Sequence, residues 1–458
     1  DALVFNPSSF SRSEISNLSI AKTDRRIALK EIPPFTFSTI DLKTATFSEF
    51  TQPNQIGITE SPQTNEFYIL ENKNLKATVQ KSDGALISLL HKKTNREMLK
   101  QTRKGAGIRV FRDNPKKYHA WNLDMQHLSA PIKVEFQECK LESNKVISKY
   151  AFKKSTATIE YSLDSLEEFI RIKIDLNLKD KEVIVKYFTP INLDSEFIYS
   201  DAAYGTVKRS RIPKSEMQLA KFEFSMHQWL DISDSDFGVA ILNKNRYGAG
   251  ANHLVLTITL ARTPKHPTSK WYPTTQLIKR KNRQRYTDMG IHNFELAIYP
   301  HEKPWWDSDV IEKSEIFNLP SFVALNFKDQ DQKLKNTEAN ADPHQKIIEN
   351  IKILRTPFCS LDINNVKITS IKPTEWIGNE IKEHEDYEFD GRSVIIRLVE
   401  WCGKDCNCVL SINPGFKISQ VFETDLLERK IKELKVNGQE IPLEFIHNEI
   451  KSLLLVFE

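Results

Sequence analysis

The residues best suited to binding chemistry lie close together in the segment FRDNPKKYHAWNLD, at positions 111–124. Aromatic rings, carboxylates and a guanidinium suit a sugar, because rings cover the apolar face of a pyranose while charged groups bond its hydroxyls in fixed directions. The candidates for sugar contact here are Arg112, Asp113, Trp121 and Asp124. The alternative is a β-hairpin with a buried Trp121 and a charged rim, because short motifs also match by chance.

Three further residues are candidates for sugar contact. His227 lies beside Trp229 in a predicted strand, where the two residues form either a sugar platform or part of the core. Arg262 and Asp288 flank the basic run LIKRKNRQRY at 277–286, as either a polar clamp for a sugar or an internal ion pair. The basic run itself predicts a solvated loop rather than a nucleic-acid site, because acidic residues surround it.

The elements that must position these residues are β-strands, because period-2 alternation and β-branched runs recur along the chain. The clearest predicted strands are 67–79, 133–138, 156–161, 169–178, 182–188, 238–242, 254–260, 294–299, 394–400 and 452–457. No long amphipathic helix is evident, and 426–434 is the best short candidate, as a helix or only a turn. The pattern predicts an all-β protein built from sandwiches.

Two polar stretches, TQPNQIGITESPQTN at 51–65 and KDQDQKLKNTEANADPHQ at 328–345, suggest domain boundaries. We therefore expect a small β-sandwich domain over 1–60, a large central domain over 66–327 and a C-terminal β-sandwich over 346–458. The central piece is too long for a seven-stranded sandwich of about 100 residues. Its many strands would fit a supersandwich of two large sheets.

Composition narrows the classes of partner. The formal net charge of +4 over 458 residues gives no strong field for nucleic acid or membrane, and no apolar run approaches the roughly 20 residues of a membrane span. The N-terminal sequence DALVFNPSSF has no features of a signal peptide, and the chain looks like one cut from something longer. The five cysteines argue against a disulfide scaffold and favour a reducing, cytoplasmic compartment.

Metal-binding patterns are weak in this sequence. The run CGKDCNC at 402–408 supplies three thiols but no neighbouring histidine, so it predicts a loop between two strands, with Gly403 at the turn. The eleven histidines are dispersed and form no HxxxH or HxD set. Zinc sites hold several His and carboxylate or thiolate ligands together, so we expect no metal site in this chain.

The segment at 111–124 resembles the Asp-x-Pro…Ala-Trp-x-x-Asp element of family 38 glycoside hydrolases, the zinc-dependent retaining α-mannosidases. Other segments resemble the β-region of the same family and occur in its order across nearly the whole chain. They are VFNPSSFSR (4–12), ENKNLKATVQKSDGALISLLHKKTNREML (71–99), KFEFSMHQWLDIS (221–233), GVAILNKNRYG (238–248), LARTP (260–264), DMGIHNFELAIYPH (288–301), VIIRLVEWCG (394–403), VFETDLLER (421–429) and NEIKSLLL (448–455).

This resemblance implies a galactose mutarotase-like central supersandwich flanked by smaller β-sandwich domains. In the family, the zinc, the nucleophilic Asp and the acid/base carboxylate belong to an N-terminal α/β domain that nothing here matches. The chain is therefore expected to be the C-terminal part of an α-mannosidase that removes terminal α-D-mannose from oligosaccharides. It would wall the substrate cleft, supply sugar contacts and be inactive alone.

The resemblance also implies partners. The expected ones are the N-terminal catalytic domain or chain and a mannose-containing oligosaccharide, and homo-oligomer formation is left open. In the family the central domain packs broadly on the catalytic domain, so the isolated chain should expose apolar surface.

A second hypothesis treats the chain as a stand-alone carbohydrate-binding protein, or as an epimerase-like or lyase-like supersandwich. Such a protein would need its own carboxylate and histidine facing one concavity, with Asp113, His119, Asp124 and His227 as the candidates. A turnover assay on the isolated chain separates the two hypotheses.

Overall fold

The computed structural model describes most of the chain. Its described residues are 2–20, 23–40, 42, 45, 47–48, 57–60, 65–102, 104–142, 144–252, 255–266, 286–325, 356–374, 376–377, 380–381 and 393–458. They fall into two compact units, the first comprising Asp1–Glu49, Ala202–Thr206 and Leu319–Glu458 and the second comprising Phe50–Asp201 and Val207–Asn318. The polar stretch at 328–345 and most of the basic run at 277–286 lie outside the described residues.

The strands of the first unit come from both ends of the chain. The N-terminal ones are β1 (Ala2–Phe5), β2 (Arg12–Ile20), β3 (Thr23–Ile32), β4 (Phe37–Ile40) and β5 (Phe47–Ser48).

The second unit contains the longest run of strands. They are β6 (Gly57–Glu60), β7 (Phe67–Glu71), β8 (Leu75–Gln80), β9 (Leu86–His91), β10 (Arg96–Glu97), β11 (Gly107–Arg112), β12 (Pro131–Ile132), β13 (Glu135–Glu142), β14 (Lys145–Phe152), β15 (Ser155–Ser162), β16 (Ile170–Leu178), β17 (Val183–Pro190), β18 (Phe197–Ala202), β19 (Gly205–Ser210), β20 (Glu223–Ser225), β21 (Trp229–Ser233), β22 (Phe237–Lys244), β23 (Gly248–Asn252), β24 (Val255–Arg262) and β25 (Gly290–Glu302). They form sheets ordered β10-β9-β8-β7-β6, β12-β11-β17-β24-β23-β20 and β13-β14-β15-β16-β25-β22-β21-β18-β19. The last residue of β18 and the first two of β19 are assigned to the first unit.

The remaining strands belong to the first unit. They are β26 (Phe322–Leu325), β27 (Cys359–Leu361), β28 (Val366–Pro373), β29 (Trp376–Ile377), β30 (Glu380–Ile381), β31 (Ser393–Glu400), β32 (Cys406–Ile412), β33 (Ile418–Thr424), β34 (Lys430–Glu433), β35 (Glu440–Phe445) and β36 (Ile450–Phe457). The sheets of this unit are β26-β1-β4, β2-β3-β5, β27-β32-β35, β28-β31-β36-β33-β34 and the pair β29-β30.

Apolar cores hold these sheets together. In the second unit one buried cluster contains side chains from all three sheets, such as Leu70 of β7, Val110 of β11 and Ile172 of β16. In the first unit Ile396 of β31 and Leu410 of β32 share a core between two sheets. The predicted fold class, all-β with a large central supersandwich, is confirmed, whereas the predicted domain boundaries stay a prediction.

Strand β17 is buried at all eight of its positions. Val183, Val185 and Tyr187 point into the main core, whereas Ile184 and Phe188 belong to a second apolar cluster on the opposite face. A strand covered on both faces has near-continuous apolar sequence instead of alternation. The run VIVKYFTP therefore indicates that a further layer covers this part of the six-stranded sheet.

Helices are few among the described residues. They are α1 (Glu216–Leu219), α2 (Val310–Asn318) and single 3₁₀ turns at Met125–Ser129 and Trp305–Asp307. In the described part of the chain, none of the helices has the length and apolar character needed to cross a membrane.

The helix considered at 426–434 is wrong, because this segment is a turn followed by β34. The Asp425 carboxylate accepts hydrogen bonds from the amides of Leu427 and Arg429, both at 2.9 Å. Such side-chain bonding by Asp favours a turn over a helix.

A loop between two strands is confirmed at 401–405, between β31 and β32, and Gly403 has a φ of 71°, but Cys406–Cys408 of the run CGKDCNC already belong to β32. Its backbone is held by Glu400, whose carboxylate accepts bonds from the amides of Cys402 (2.8 Å) and Gly403 (2.9 Å). Only glycine adopts a positive φ without steric cost, which explains its place at this turn.

Candidate functional site

The candidate site is built on three neighbouring strands, β11, β17 and β24. Their antiparallel register places Phe111 opposite Ile184 and Ile184 opposite Arg262. Directly opposed residues share one face of a sheet. Asp113 directly follows β11, and its amide donates to the carbonyl of Glu182 at 2.8 Å. The sheet thus brings Asp113 and Arg262 together although 149 residues separate them along the chain.

Asp113 and Arg262 form a bidentate ion pair. Arg262 Nε donates to Oδ2 at 2.8 Å and its Nη2 to Oδ1 at 3.0 Å. The Asp113 side chain is 1% exposed and that of Arg262 is 21% exposed. The same Nη2 donates to the carbonyls of Asn122 (2.8 Å) and His119 (3.4 Å). Bidentate charge-assisted bonds fix geometry, so Arg262 ties the backbone of the segment 114–130, here named the motif loop, to the sheet.

The ends of the motif loop are also joined. The amide of Arg112 donates to the carbonyl of Ala130 at 3.0 Å, and the Arg112 side chain is exposed. Asp124 is half-buried, and its Oδ2 accepts from the amide of Lys116 at 3.1 Å. These bonds close the loop on itself and leave the Arg112 guanidinium in solvent.

The underside of the motif loop is apolar. Leu123 and Leu128 pack against the buried cluster of Phe111, Ile184 and Phe188. This packing is the further layer that the sequence of β17 indicates.

The outer side of the motif loop presents two exposed aromatic rings. Tyr118 and Trp121 are 66% and 70% exposed, and their ring centroids lie 6.4 Å apart at an interplanar angle of 77°. The Tyr118 carbonyl accepts from the amides of Trp121 and Asn122, both at 2.8 Å. The hairpin with a buried Trp121 is therefore wrong: this ring faces solvent on a loop whose backbone is fixed.

His127 belongs to the motif loop and is buried. Its ring lies edge-on to Phe111 at 5.9 Å, and its Nδ1 is 2.9 Å from the carbonyl of Asp124. Burial lowers the pKa of His127, although its hydrogen bond to the backbone at Asp124 acts in the opposite direction. The neutral ring donates from Nδ1, and among the described residues its Nε2 meets no hydrogen-bond partner.

The other two predicted site residues lie apart from this loop. His227 is exposed and packs against the ring of Tyr247 at 5.8 Å. Asp288 is exposed, and its carbonyl oxygen lies 2.9 Å from Nε2 of His292. Among the described residues no hydrogen bond or ion pair joins either residue to Arg262. The ion pair considered between Arg262 and Asp288 is therefore wrong about the partner, which is Asp113.

A second ion pair in this sheet was not predicted from the sequence. Lys186 of β17, 1% exposed, pairs with Glu223 of β20, and Glu223 also accepts from Thr259 Oγ1 at 3.0 Å. Burial lowers the pKa of Lys186, and the Glu223 carboxylate acts against that shift. The signal was present in the sequence, because Lys186 is a single charge within the run VIVKYFTP, and a buried lysine needs a carboxylate partner.

The residues that the structure describes contain no group of three or more His, Cys, Asp or Glu side chains that could hold a metal ion. Zinc sites require three or four such ligands. The described residues therefore do not fit a zinc site.

Comparison with known proteins identifies the family. Residues 70–270 match the glycosyl hydrolases family 38 C-terminal domain, and residues 365–453 match the glycosyl hydrolases family 38 C-terminal beta sandwich domain. The chain belongs to the C-terminal region of glycosyl hydrolase family 38. The first match covers the motif loop and the strands that carry it, and the second covers the C-terminal sandwich.

Relatives of this family 38 chain include an alpha-mannosidase of Saccharomyces cerevisiae, 23% identical over 427 residues, which cover 86% of this chain and 35% of the yeast protein. Alpha-mannosidase 2C1 of Mus musculus is 23% identical over 387 residues, which cover 82% of this chain and 32% of the mouse protein. The chain thus spans about a third of the length of the curated relatives it matches.

A solved structure supports the fold. The alpha-mannosidase from Enterococcus faecalis V583 superposes with a TM-score of 0.62 at 12% sequence identity, covering 100% of this chain and 51% of that protein. At this identity the similarity establishes the fold alone.

Proposed function

We propose that this family 38 chain is the C-terminal part of a retaining α-mannosidase that removes terminal α-D-mannose from oligosaccharides. The observation that carries the proposal is the match of both sandwich regions to family 38 domains, together with relatives named alpha-mannosidase. In this role the chain forms one wall of the substrate cleft and supplies side chains that contact the sugar.

The geometry of the motif loop supports the sugar-contacting role. Carbohydrate sites combine an aromatic surface with a few fixed polar groups. Trp121 and Tyr118 supply exposed rings, and Asp124 supplies a half-buried carboxylate beside them. Asp113 and Arg262 already bond to each other, so their part is to hold the loop in place. His227 and Asp288 are proposed as additional, more distant contacts.

The bond-breaking chemistry is assigned to a partner. Retaining hydrolysis uses two carboxyl groups about 5 Å apart, one as nucleophile and one as acid and base. In the family both of these carboxyl groups and the zinc belong to the N-terminal catalytic domain. We place them in such a domain or chain bound to this one, because the described residues bring no metal-ligand set together.

We test the assignment of catalysis to a separate domain by comparing the chain alone with the chain joined to a family 38 catalytic domain. Alone, it is expected to hydrolyse no aryl α-mannoside, with or without added zinc. Joined to the catalytic domain, it should restore turnover that a catalytic domain without its β-region lacks. Robust zinc-dependent turnover by the purified chain alone would contradict the proposal.

We further propose a cytoplasmic location. All five cysteines, at positions 139, 359, 402, 406 and 408, are free thiols. Thiols persist where glutathione and thioredoxin keep the compartment reducing. Fractionation of cells expressing the full protein tests this, and recovery in an oxidising compartment would contradict it.

A stand-alone carbohydrate-binding protein is the second candidate, because the exposed Tyr118 and Trp121 rings would suit a binding platform without catalysis. Tight binding of a mannose oligosaccharide by the isolated chain, without any gain on adding a catalytic domain, would favour it over the enzyme proposal.

A further inference from the structure

A cleft of about 1120 Å³ opens against the six-stranded sheet of the second unit. Its lining includes Arg109 and Phe111 of β11, Phe188 of β17, Phe224 of β20 and Arg209 of β19. Binding sites for small molecules have a volume of this order, about 300–1,000 Å³, and combine apolar walls with a few polar groups. The size and lining of the cleft therefore suit a small ligand.

The charged residues that line this cleft are mostly basic. Of the described residues that line the cleft, seven are Lys or Arg and two, Asp83 and Glu223, are acidic. Glu223 is already paired with the buried Lys186. Two of the basic residues are also paired, Arg211 with Asp194 and Lys133 with Glu135. A cleft lined by one sign of charge, with low-dielectric walls, concentrates ions of the other sign. The lining therefore attracts an anion.

Arg109 lies where a neighbouring negative charge would stabilise it. It lies directly opposite Lys186 in the register of β11 and β17, on the face away from the main core. Like charges directly opposite each other destabilise a strand pair. Glu223 neutralises Lys186, but no hydrogen bond or ion pair from the Arg109 guanidinium is found among the described residues.

Stacking on an aromatic ring is the interaction that holds the Arg109 guanidinium among the described residues. It lies 4.4 Å from the centroid of the Phe188 ring, and burial lowers its pKa. Stacking on a ring covers the face of a guanidinium and leaves its N–H groups, which lie at the edge, free to donate. A half-buried guanidinium with free donors is suited to a bidentate oxyanion.

Arg209 repeats this arrangement at the same cleft. Its guanidinium lies 4.4 Å from the centroid of the Phe224 ring, and burial lowers its pKa. Its Nη1 donates to Ser200 Oγ at 2.6 Å, which orients the group without neutralising its charge. Two arginines stacked on phenylalanines therefore face the same volume, and neither has a carboxylate partner in the part of the chain that the structure describes.

We propose that this cleft binds the phosphate group of a small molecule, with Arg109 and Arg209 as its anchors. The cations of the lining that remain, Lys104, Arg109, Lys208, Arg209 and Lys221, outnumber Asp83 and favour a dianion over a monoanionic carboxylate. The aromatic walls formed by Phe111, Phe188 and Phe224 are suited to the carbon skeleton of a phosphorylated sugar, whereas free phosphate would use the arginines alone. This proposal is independent of the mannosidase proposal, because binding to the chain is measured without turnover.

The experiment titrates the chain with inorganic phosphate, glucose 6-phosphate and glucose by calorimetry at low chloride. We expect the phosphate compounds to bind and glucose not to bind. Arg109→Gln should weaken binding about tenfold or more, as expected for losing a charge-assisted hydrogen bond. Arg109→Lys should retain part of the affinity. Tighter binding of glucose 6-phosphate identifies a sugar phosphate, and equal binding identifies free phosphate.

Arg246→Gln is the matched control. Arg246 also stacks on a phenylalanine, Phe294, at 4.4 Å and also has a pKa lowered by burial, but it does not line the cleft. It should leave phosphate binding unchanged. Arg209→Gln provides a second test if Arg109→Gln fails to fold. Equal loss in the control, unchanged affinity in folded cleft variants, or no phosphate binding by the native chain would overturn the proposal.

Discussion

Replacing Arg262 by methionine should destabilise the second unit more than replacing its partner Asp113 by leucine. Arg262→Met leaves a carboxylate that is 1% exposed without its counter-charge, and it removes the donor from the carbonyls of His119 and Asn122. Breaking a buried ion pair from one side costs about 3–5 kcal/mol. The guanidinium is 21% exposed and partly screened, so we expect about 3 kcal/mol, at the lower end of that range.

Asp113→Leu has a different consequence, because the remaining guanidinium can turn toward solvent. We expect a loss of about 1–2 kcal/mol, within the range for an unpaired polar group. The double variant removes both charges and should be more stable than Arg262→Met alone. The coupling between the two sites should be about 1–3 kcal/mol, which is typical of residues in direct contact.

The assay is urea unfolding followed by tryptophan fluorescence, in which a stability change moves the midpoint at a constant slope. Hydrogen exchange at the amides of Trp121 and Asn122 reports local opening of the motif loop, and it should accelerate in Arg262→Met. If Arg262→Met stays within about 0.5 kcal/mol of the native protein, the range of ordinary surface substitutions, the ion pair does not anchor the loop. A double variant no more stable than Arg262→Met would refute the buried-charge argument.

Three further predictions concern the loop and the core. In the enzyme reassembled with its catalytic domain, Trp121→Ala and Asp124→Asn should each lower kcat/KM at least tenfold, about 1.4 kcal/mol of transition-state binding, and Asp124→Asn should leave the unfolding midpoint nearly unchanged. Loss of stability with full kcat/KM in both would make the motif purely structural. Because the pKa of His127 lies below its unfolded value of 6.5, native stability should fall as pH decreases through 6.5, and His127→Gln should flatten this slope in urea midpoints measured from pH 8 to 5. An unchanged slope would contradict the buried neutral imidazole. A Cβ at Gly238 would overlap the ring of His301, so Gly238→Ala should cost about 1–3 kcal/mol in thermal unfolding, and a neutral result would mean that the ring can move aside.

The fold was predictable because sandwich strands leave a period-2 pattern, and β15 and β16 show the expected alternation of buried and more exposed positions. The turn at Gly403 was also predictable, because the preference of glycine for turns is visible in the local sequence. Helix α2 (Val310–Asn318) was missed because its nine residues show little separation of apolar and polar faces.

The site was only partly predictable. Aromatic and charged residue types identified the segment around Trp121, but they did not show that this ring is exposed. The pairing of Asp113 with Arg262 depends on strand register across 149 residues, which local patterns do not contain. The same limit applies to Lys186 and Glu223, since the order of strands in a sheet decides which charges meet.

The way in which Arg262 holds the motif loop has a consequence for molecular evolution and for engineering. The guanidinium bonds carbonyl oxygens of the main chain at His119 and Asn122, so the grip does not depend on which side chains those positions carry. The side chains of the motif loop can therefore change while Arg262 continues to hold its backbone, as in an antibody framework with exchangeable loops. Segment 116–121 is accordingly a place to graft new recognition sequences onto an unchanged sandwich.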